Sequence, residues 1–219
     1  MATDVVSRIA AEGVVPVVVL NSARNAASLA KALARGGLSV AEITFRTSAA
    51  AASIEAIRRE APETPVGAGT VANADQVREA ASAGASFVVT PGFNRRVVEA
   101  CVSSGMPVFP GVNAPGFVEM ALEYGLETLK FFPAEQSGGV AFLTALAGPY
   151  PNVRFIPTGG IGPDTLASYL ALPSVVACGG SWMVDRKPIE AEGFEAIANL
   201  TAAAVQAARR ARPAKSTGV

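Results

Sequence analysis

Short apolar stretches alternate with amphipathic stretches along almost the whole chain. Eight of the apolar stretches are continuous and rich in β-branched residues, which is typical of parallel strands that are buried on both faces. The eight predicted strands cover residues 14–20, 40–46, 65–71, 86–92, 107–113, 127–134, 154–160 and 174–183. A stretch with helical spacing follows each strand, such as "NAASLAKALARGG" after the first and "EGFEAIANLTAAAVQAARRAR" after the last. The pattern therefore predicts eight β-then-α units.

The ends of the predicted helices carry residues that favour helix starts and stops. Asparagine and aspartate can cap a first turn, and glycine can adopt the backbone conformation that ends a helix. The candidate starts are Asn21, Asn73, Asn94 and Asp164, and the candidate stops are Gly36, Gly84, Gly105 and Gly125.

Eight near-equal units predict a single α/β domain folded as a closed (β/α)₈ TIM barrel. The chain of 219 residues suits this fold, since α/β barrels of about 200–250 residues are routinely single domains. A doubly wound open sheet is the alternative, but no GxGxxG motif follows the first strand. We expect the barrel to cover about residues 5–208 and a polar C-terminal tail to cover 209–219.

The composition narrows the class of protein. Half of the residues are apolar, 16% are charged and the formal net charge is zero, which argues against a disordered chain and a nucleic-acid binder. The most apolar run, "GVVPVVVL", is too short to span a bilayer, so no membrane association is expected. Cys101 and Cys178 are expected to be small buried apolar groups rather than a disulfide, which favours a cytoplasmic protein.

Histidine is absent from the sequence. This excludes Ser-His-Asp triads, Cys-His pairs and most zinc sites. We therefore expect no metal and no cofactor, and acid–base chemistry must come from a carboxylate, lysine, tyrosine, cysteine or water.

Lys130 is the most unusual residue, because it lies in the apolar sixth strand, "LKFFPAE". Barrel enzymes carry their chemistry at the C-terminal ends of the strands, and Glu42 and Arg46 share one face of the second strand. One interpretation is a structural ion pair between Lys130 and Glu42. The other is an amine, kept uncharged by desolvation and a nearby cation, that forms a Schiff base with a ketone.

The Schiff-base interpretation requires a carboxylate that shuttles protons, and Glu42 is the only acidic residue that we expect inside the barrel near a strand end. Arg46 could bind the carboxylate of a 2-oxo acid through two hydrogen bonds, or could form an ordinary salt bridge. Thr70 could hydrogen-bond the same carboxylate or cap its own turn.

Two glycine pairs follow the last two strands, in "PTGGIGPD" and "ACGGSW". Glycine lets the backbone approach a ligand closely, and barrels often bind phosphate at these two loops. The pairs predict a phosphorylated small-molecule ligand, although turns use glycine in any case. The candidate residues at this end are Thr158, Gly159, Gly160, Gly180 and Ser181.

Seven short motifs together resemble one enzyme family. They are "AEITFRT" (41–47), "VGAGTV" (66–71), "TPGFN" (90–94), "FPGV" (109–112), "LKFFPAE" (129–135), "PTGGI" (157–161) and "GGSW" (179–182). In this order and spacing, they resemble 2-keto-3-deoxy-6-phosphogluconate (KDPG) aldolase of the Entner–Doudoroff pathway, a family also described as acting on 4-hydroxy-2-oxoglutarate. The resemblance extends over about residues 5–205.

The resemblance implies a homotrimeric class I aldolase on a (β/α)₈ barrel, which reversibly cleaves KDPG to pyruvate and glyceraldehyde 3-phosphate. It also implies that Lys130 is the Schiff-base lysine and Glu42 the general acid–base. The other implied residues are Arg46 and Thr70 at the substrate carboxylate, Pro91 and Phe132 around the reacting carbons, and Thr158, Gly159, Gly160 and Ser181 at the phosphate. Two alternatives remain: an aldolase for the galactonate epimer, and a non-catalytic barrel that binds phosphorylated ligands.

Overall fold

Parallel strands alternate with helices from the start of the chain to its end in the computed structural model, which describes residues 2–212. The strands are β1 Val14–Val18, β2 Ala41–Thr44, β3 Val66–Gly69, β4 Phe87–Val89, β5 Val108–Phe109, β6 Gly111–Val112, β7 Thr128–Phe131, β8 Arg154–Pro157 and β9 Cys178–Gly180. The helices are α1 Ala2–Glu12, α2 Ala26–Arg35, α3 Ala50–Glu60, α4 Ala74–Ser82, α5 Arg95–Ser103, α6 Pro115–Leu122, α7 Gly139–Ala147, α8 Pro163–Leu170, α9 Arg186–Glu190 and α10 Phe194–Ala211.

Each of the eight predicted strands contains an observed strand, and the fifth is divided into β5 and β6 at Pro110. Proline has no backbone N–H, so it cannot donate a hydrogen bond to a neighbouring strand. The carbonyl of Pro110 still accepts a hydrogen bond from the Lys130 N–H at 3.0 Å. The division is therefore a local break in a segment that continues in one direction.

The strands form two parallel sheets. A six-stranded sheet has the order β5-β4-β3-β2-β1-β9, and a three-stranded sheet has the order β6-β7-β8. Two isolated parallel bridges, Phe155 with Val175 and Thr158 with Gly179, join the β8 segment to the β9 segment. The predicted α/β class with parallel strands is confirmed, but the hydrogen-bonded strands fall into two sheets rather than one eight-stranded sheet.

Helix α1, which the sequence pattern did not predict, contributes to the interior of the fold. Its Ile9 packs in a buried cluster with Val15, Phe87 and Ile156, among others. Val15 and Phe87 lie at the starts of β1 and β4, so this cluster fills the interior near the N-terminal ends of the strands. Val5 and Ile9 are four residues apart on one face of α1, a spacing that could have indicated the helix.

Several predicted helix ends are confirmed and others are wrong. The side chains of Asn73 and Asn94 accept backbone N–H groups at the starts of α4 and α5. Asp164 lies inside the first turn of α8, which Gly162 precedes. The side chain of Asn21 instead donates to Glu190 at 3.1 Å, and the side chain of Ser22 caps the short turn that follows. The four predicted stops lie one to three residues after the last residue of a helix: Gly36 one after α2, Gly84 two after α4, Gly105 two after α5 and Gly125 three after α6.

Hydrogen bonds connect the residue after α10 to α1 and to the segment before β9. The Arg212 guanidinium donates hydrogen bonds to the backbone carbonyls of Ala10 and Val176. Residues 213–219, which belong to the predicted polar tail, lie outside the described residues. No helix within residues 2–212 has both the length and the apolar character needed to cross a bilayer.

Candidate active site

Lys130 and Glu42 meet in the interior of the fold. Lys130 lies on β7 and Glu42 on β2, and their side chains are only 5% and 4% exposed. Lys130 Nζ lies 3.7 Å from Glu42 Oε1, which is an ion-pair distance but longer than a direct hydrogen bond. Among the described residues, Oε1 of Glu42 accepts no hydrogen bond. A buried amine therefore lies close to a buried carboxylate oxygen that is free to accept a hydrogen bond.

The surroundings of this pair are almost entirely apolar. A small cavity of about 10 Å³ is lined by Glu42, Lys130 and Thr158 and by apolar side chains. The apolar lining residues are Ile9, Val15, Phe87, Val89, Phe109 and Ile156. The pair therefore lies at the boundary of the interior cluster, where water has little access.

Gly69 leaves the space that the Glu42 carboxylate occupies. A Cβ atom added at Gly69, on the neighbouring strand β3, would lie 2.1 Å from Glu42 Oε1. Real Cβ atoms do not approach other atoms so closely, so any larger residue would displace the carboxylate. This glycine of the "VGAGTV" motif thus determines where Glu42 lies.

Phe132 lies beside the lysine. Lys130 Nζ is 4.9 Å from the centroid of the half-buried Phe132 ring, within the range of a cation–π contact. Pro91 is exposed after β4, and its carbonyl approaches Gly111, the residue of β6 that pairs with Lys130. The structure thus brings Phe132 into contact with the lysine and leaves Pro91 one strand away.

Thr70 has an unusual backbone conformation. It follows β3 directly and has a φ of 57°, in the left-handed region that a β-branched residue seldom adopts. Strained residues of this kind cluster at functional sites, where the surrounding structure holds them in place. Thr70 is partly buried.

The glycine pairs after β8 and β9 permit close packing. Gly159 and Gly160 have φ values of 104° and 79°, so both favour glycine over other residues. Thr158 is 7% exposed, and a Cβ added at Gly179 would lie 2.3 Å from its hydroxyl oxygen. Gly180 is buried against the Trp182 ring, and Ser181 is exposed.

Arg46 and Ser181 lie in a second, larger cavity that opens to solvent. Its volume is about 450 Å³, and its lining includes neither Lys130 nor Glu42. The sequence analysis missed two charged residues in this lining, Asp185 and Arg186. Their position directly after the "GGSWMV" segment was the one available signal. The cavity lining consists of Val17, Val19, Arg46, Ser181, Trp182, Val184, Asp185 and Arg186.

The two cysteines do not compete with this pair as nucleophiles. Cys101 and Cys178 are free and buried, as predicted, and burial raises the pKa of Cys101 to about 12. Its thiol therefore stays protonated at neutral pH and is a poor nucleophile. Within residues 2–212, no cluster of three or more Cys, Asp or Glu side chains could hold a metal ion. The arrangement supports amine chemistry assisted by a carboxylate.

Comparison with known proteins also indicates an aldolase. The family model described as "Aldolase: KDPG and KHG aldolase" matches residues 5–200. A 2-dehydro-3-deoxy-phosphogluconate aldolase of Haemophilus influenzae is 50% identical over 187 residues, which cover 85% of this chain and 88% of that protein. A KHG/KDPG aldolase of Escherichia coli is 44% identical over 196 residues, which cover 90% of this chain and 92% of that protein.

A solved structure extends the likeness to the fold and to covalent chemistry. KDPG aldolase from Legionella pneumophila, with pyruvate captured as a covalent carbinolamine intermediate, superposes with a TM-score of 0.88 at 37% identity. The match covers 91% of this chain and 97% of that one. Together, the matched family model and the relatives show that this chain belongs to the KDPG and KHG aldolase family.

Proposed function

We propose that the protein is a class I aldolase, a metal-independent carbon–carbon lyase that reversibly cleaves KDPG to pyruvate and glyceraldehyde 3-phosphate through a Schiff base on Lys130. The observation that carries the proposal is the buried pair of Lys130 Nζ and Glu42 Oε1 at 3.7 Å. The family supports it, since relatives are named KDPG aldolases and one structure holds a pyruvate carbinolamine. The same site could act on 4-hydroxy-2-oxoglutarate, giving pyruvate and glyoxylate.

The first half of the reaction forms the iminium. The unprotonated amine of Lys130 attacks the C2 ketone of the substrate and forms a carbinolamine. Glu42 supplies the proton with which the carbinolamine hydroxyl leaves as water. Two groups 3.7 Å apart can exchange protons through the substrate oxygen or one bridging water.

The second half breaks the carbon–carbon bond. Glu42, directly or through a water, takes the proton of the C4 hydroxyl, and the C3–C4 bonding electrons move into the iminium to give an enamine. Glyceraldehyde 3-phosphate leaves with its new aldehyde at the former C4. The enamine is then protonated at C3, and hydrolysis of the resulting iminium releases pyruvate and the free Lys130 amine. The apolar lining around the pair protects the enamine from premature protonation by solvent.

The remaining predicted residues fit the two ends of the substrate. Arg46 and Thr70 bind the carboxylate, and Pro91 and Phe132 bound the reacting carbons. The phosphate binds to the backbone and hydroxyl groups of Thr158, Gly159, Gly160, Gly180 and Ser181. The left-handed glycines after β8 and the exposed Ser181 hydroxyl in the larger cavity support this assignment, because backbone N–H groups that converge in such turns bind anions.

The proposal includes a closed barrel and a homotrimer in the cytosol. The two bridges between the β8 and β9 segments, and the continuation of β5 into β6, support closure of the two sheets into one barrel.

The exposed apolar side chains Phe117, Met120 and Phe142 support a subunit interface. Sedimentation equilibrium is expected to give three times the 22.2 kDa of one chain, and a monomer mass would contradict the assembly. The free, buried cysteines are compatible with a reducing compartment.

Reductive trapping tests the function. Incubation with pyruvate and sodium borohydride is expected to add a reduced pyruvate to the peptide that contains Lys130. The surface lysines Lys31 and Lys187 serve as internal controls and are expected to stay unmodified. Absence of the adduct, or equal labelling of all lysines, would favour the alternative of a non-catalytic barrel that binds phosphorylated ligands.

Replacing Gly69 with alanine is expected to lower kcat at least about tenfold by displacing the Glu42 carboxylate. The added Cβ would lie 2.1 Å from Oε1, and overpacking of this kind also costs about 1–3 kcal/mol of stability. The matched control is Gly92→Ala, since an alanine Cβ there meets no atom within 4 Å although Gly92 also lies near the C-terminal end of a parallel strand, β4. Steady-state kinetics on KDPG and thermal unfolding measure both effects, and equal kcat values for the two variants would contradict the prediction.

A further inference from the structure

Two loops at the candidate site are joined by direct contacts. We name residues 132–138, which follow β7, the lysine loop, and residues 158–160, which follow β8, the glycine loop. The Ala134 N–H donates to the Thr158 carbonyl at 2.8 Å, and the Glu135 N–H donates to the Gly159 carbonyl at 3.1 Å. The first loop continues the strand that carries Lys130, and the second contains the proposed phosphate-binding glycines.

The side chain of Glu135 strengthens this junction. A Cβ added at Gly160 would lie 2.7 Å from both Cβ and Cγ of Glu135, so the glutamate stem packs directly on the glycine loop. Glu135 is the last residue of the "LKFFPAE" motif, and it does not belong to the lining of either cavity described above. Its position therefore suggests an indirect effect, through the loop that it packs against.

The carboxylate of Glu135 is anchored by a tyrosine. The hydroxyl of Tyr169, a residue of α8 that is completely buried, donates a hydrogen bond to Glu135 Oε1. Burial and the neighbouring carboxylate raise the pKa of Tyr169, so the hydroxyl stays protonated and remains a donor. A hydrogen bond to a charged group contributes more than a neutral one, and it fixes Glu135 to a rigid helix.

We propose that Glu135 and Tyr169 are positioning residues that hold the glycine loop at the distance from Lys130 that a phosphorylated 2-oxo acid requires. The pair thereby sets the preference of the enzyme for phosphorylated over unphosphorylated substrates. The inference rests on the proposed function, because it concerns the phosphate end of the same site. Its physical basis is that α8 begins only three residues after the glycine loop, and that Tyr169 of α8 is hydrogen-bonded to Glu135 of the lysine loop.

The test compares Tyr169→Phe with its wild type on KDPG and on the dephosphorylated analogue, 2-keto-3-deoxygluconate. We expect the KM for KDPG to rise about tenfold, as for loss of a hydrogen bond to a charged group, with kcat within about threefold. The kcat/KM for the analogue is expected to stay within about twofold, because the analogue has no phosphate to position.

Two further variants and one control make the test specific. Glu135→Ala should reproduce the effect of Tyr169→Phe, whereas Glu135→Gln should change the KM for KDPG less than about threefold, because its amide oxygen can still accept the tyrosine hydrogen bond. The control is Tyr150→Phe, which removes a similar tyrosine–glutamate hydrogen bond, to Glu119 at 3.0 Å, on the surface. It should leave the kinetic constants for both substrates unchanged.

Equal losses with both substrates would overturn the positioning role, since a general structural defect acts on every substrate. Unchanged KM values in Tyr169→Phe and Glu135→Ala would overturn it as well. Borohydride trapping of pyruvate in the same preparations separates the two proposals. If the wild type forms the Lys130 adduct but the variants lose activity equally on both substrates, only the positioning role is overturned. If the wild type forms no adduct, both the positioning role and the proposed aldolase function are overturned.

Discussion

Replacing Lys130 with alanine is expected to abolish aldol cleavage, with a fall in kcat of at least about 10⁴-fold. Without the amine no iminium forms, so nothing accepts the electrons of the C3–C4 bond when it breaks. Losses of this size are typical when the nucleophile of a covalent mechanism is removed. The measurement is the release of pyruvate from KDPG, together with the disappearance of the borohydride-trapped adduct.

A second variant separates the covalent role of Lys130 from a structural one. The alanine variant leaves Glu42 buried without its ion-pair partner, which alone can cost about 3–5 kcal/mol of stability. Lys130→Arg keeps a positive charge beside Glu42 but cannot form a Schiff base with a ketone. We expect it to be as inactive as the alanine variant, and retention of one tenth of wild-type kcat by a folded arginine variant would refute the covalent mechanism. Lys31→Ala, on the surface, is the control and should be fully active.

The order of strands and helices was predictable because both faces of a parallel strand are buried. Such a strand is a continuous apolar run, as in "VVPVVVL", and is recognisable without any tertiary information. The breaks in hydrogen bonding that divide the strands into two sheets were not predictable, because they depend on the exact backbone spacing between neighbouring strands. The predicted β-then-α pattern begins at the first strand and so does not include helix α1, although the spacing of Val5 and Ile9 indicates an amphipathic turn.

The two central candidate residues were predictable for chemical reasons. A lysine within an apolar strand and a glutamate on the inner face of another strand are both expensive to bury, so each indicates a pairing or a function. The positions of Tyr169, Asp185 and Arg186 near the candidate site were not predictable in this way. Tyr169 contacts a glutamate 34 residues earlier in the chain, and no local pattern reports such a contact. Loop residues such as Asp185 and Arg186 resemble ordinary solvent-exposed charges until the cavity beside them is known.

Replacing Glu42 with glutamine is expected to lower kcat about 10²–10⁴-fold, the usual contribution of a positioned general acid–base, while the KM for KDPG changes little. Glutamine has nearly the same shape, so the space left by Gly69 remains filled, but its amide cannot accept or deliver the transferred protons. Because the Lys130 amine remains, the trapped pyruvate adduct should still form, only more slowly. Retained adduct with reduced turnover distinguishes this variant from Lys130→Ala.

Exchange of the methyl protons of pyruvate in D₂O isolates the step that Glu42 controls. This half-reaction needs only the iminium, its conversion to the enamine and reprotonation at C3, so it should slow in Glu42→Gln by a factor similar to that for kcat. The matched control is Glu12→Gln, since Glu12 is the other carboxyl with a buried, unpartnered oxygen among the described residues, and it hydrogen-bonds Ser39 instead of facing Lys130. Cleavage and exchange rates within about threefold of wild type in Glu42→Gln would show that Glu42 is only the counter-ion of Lys130, and that water or another group moves the protons.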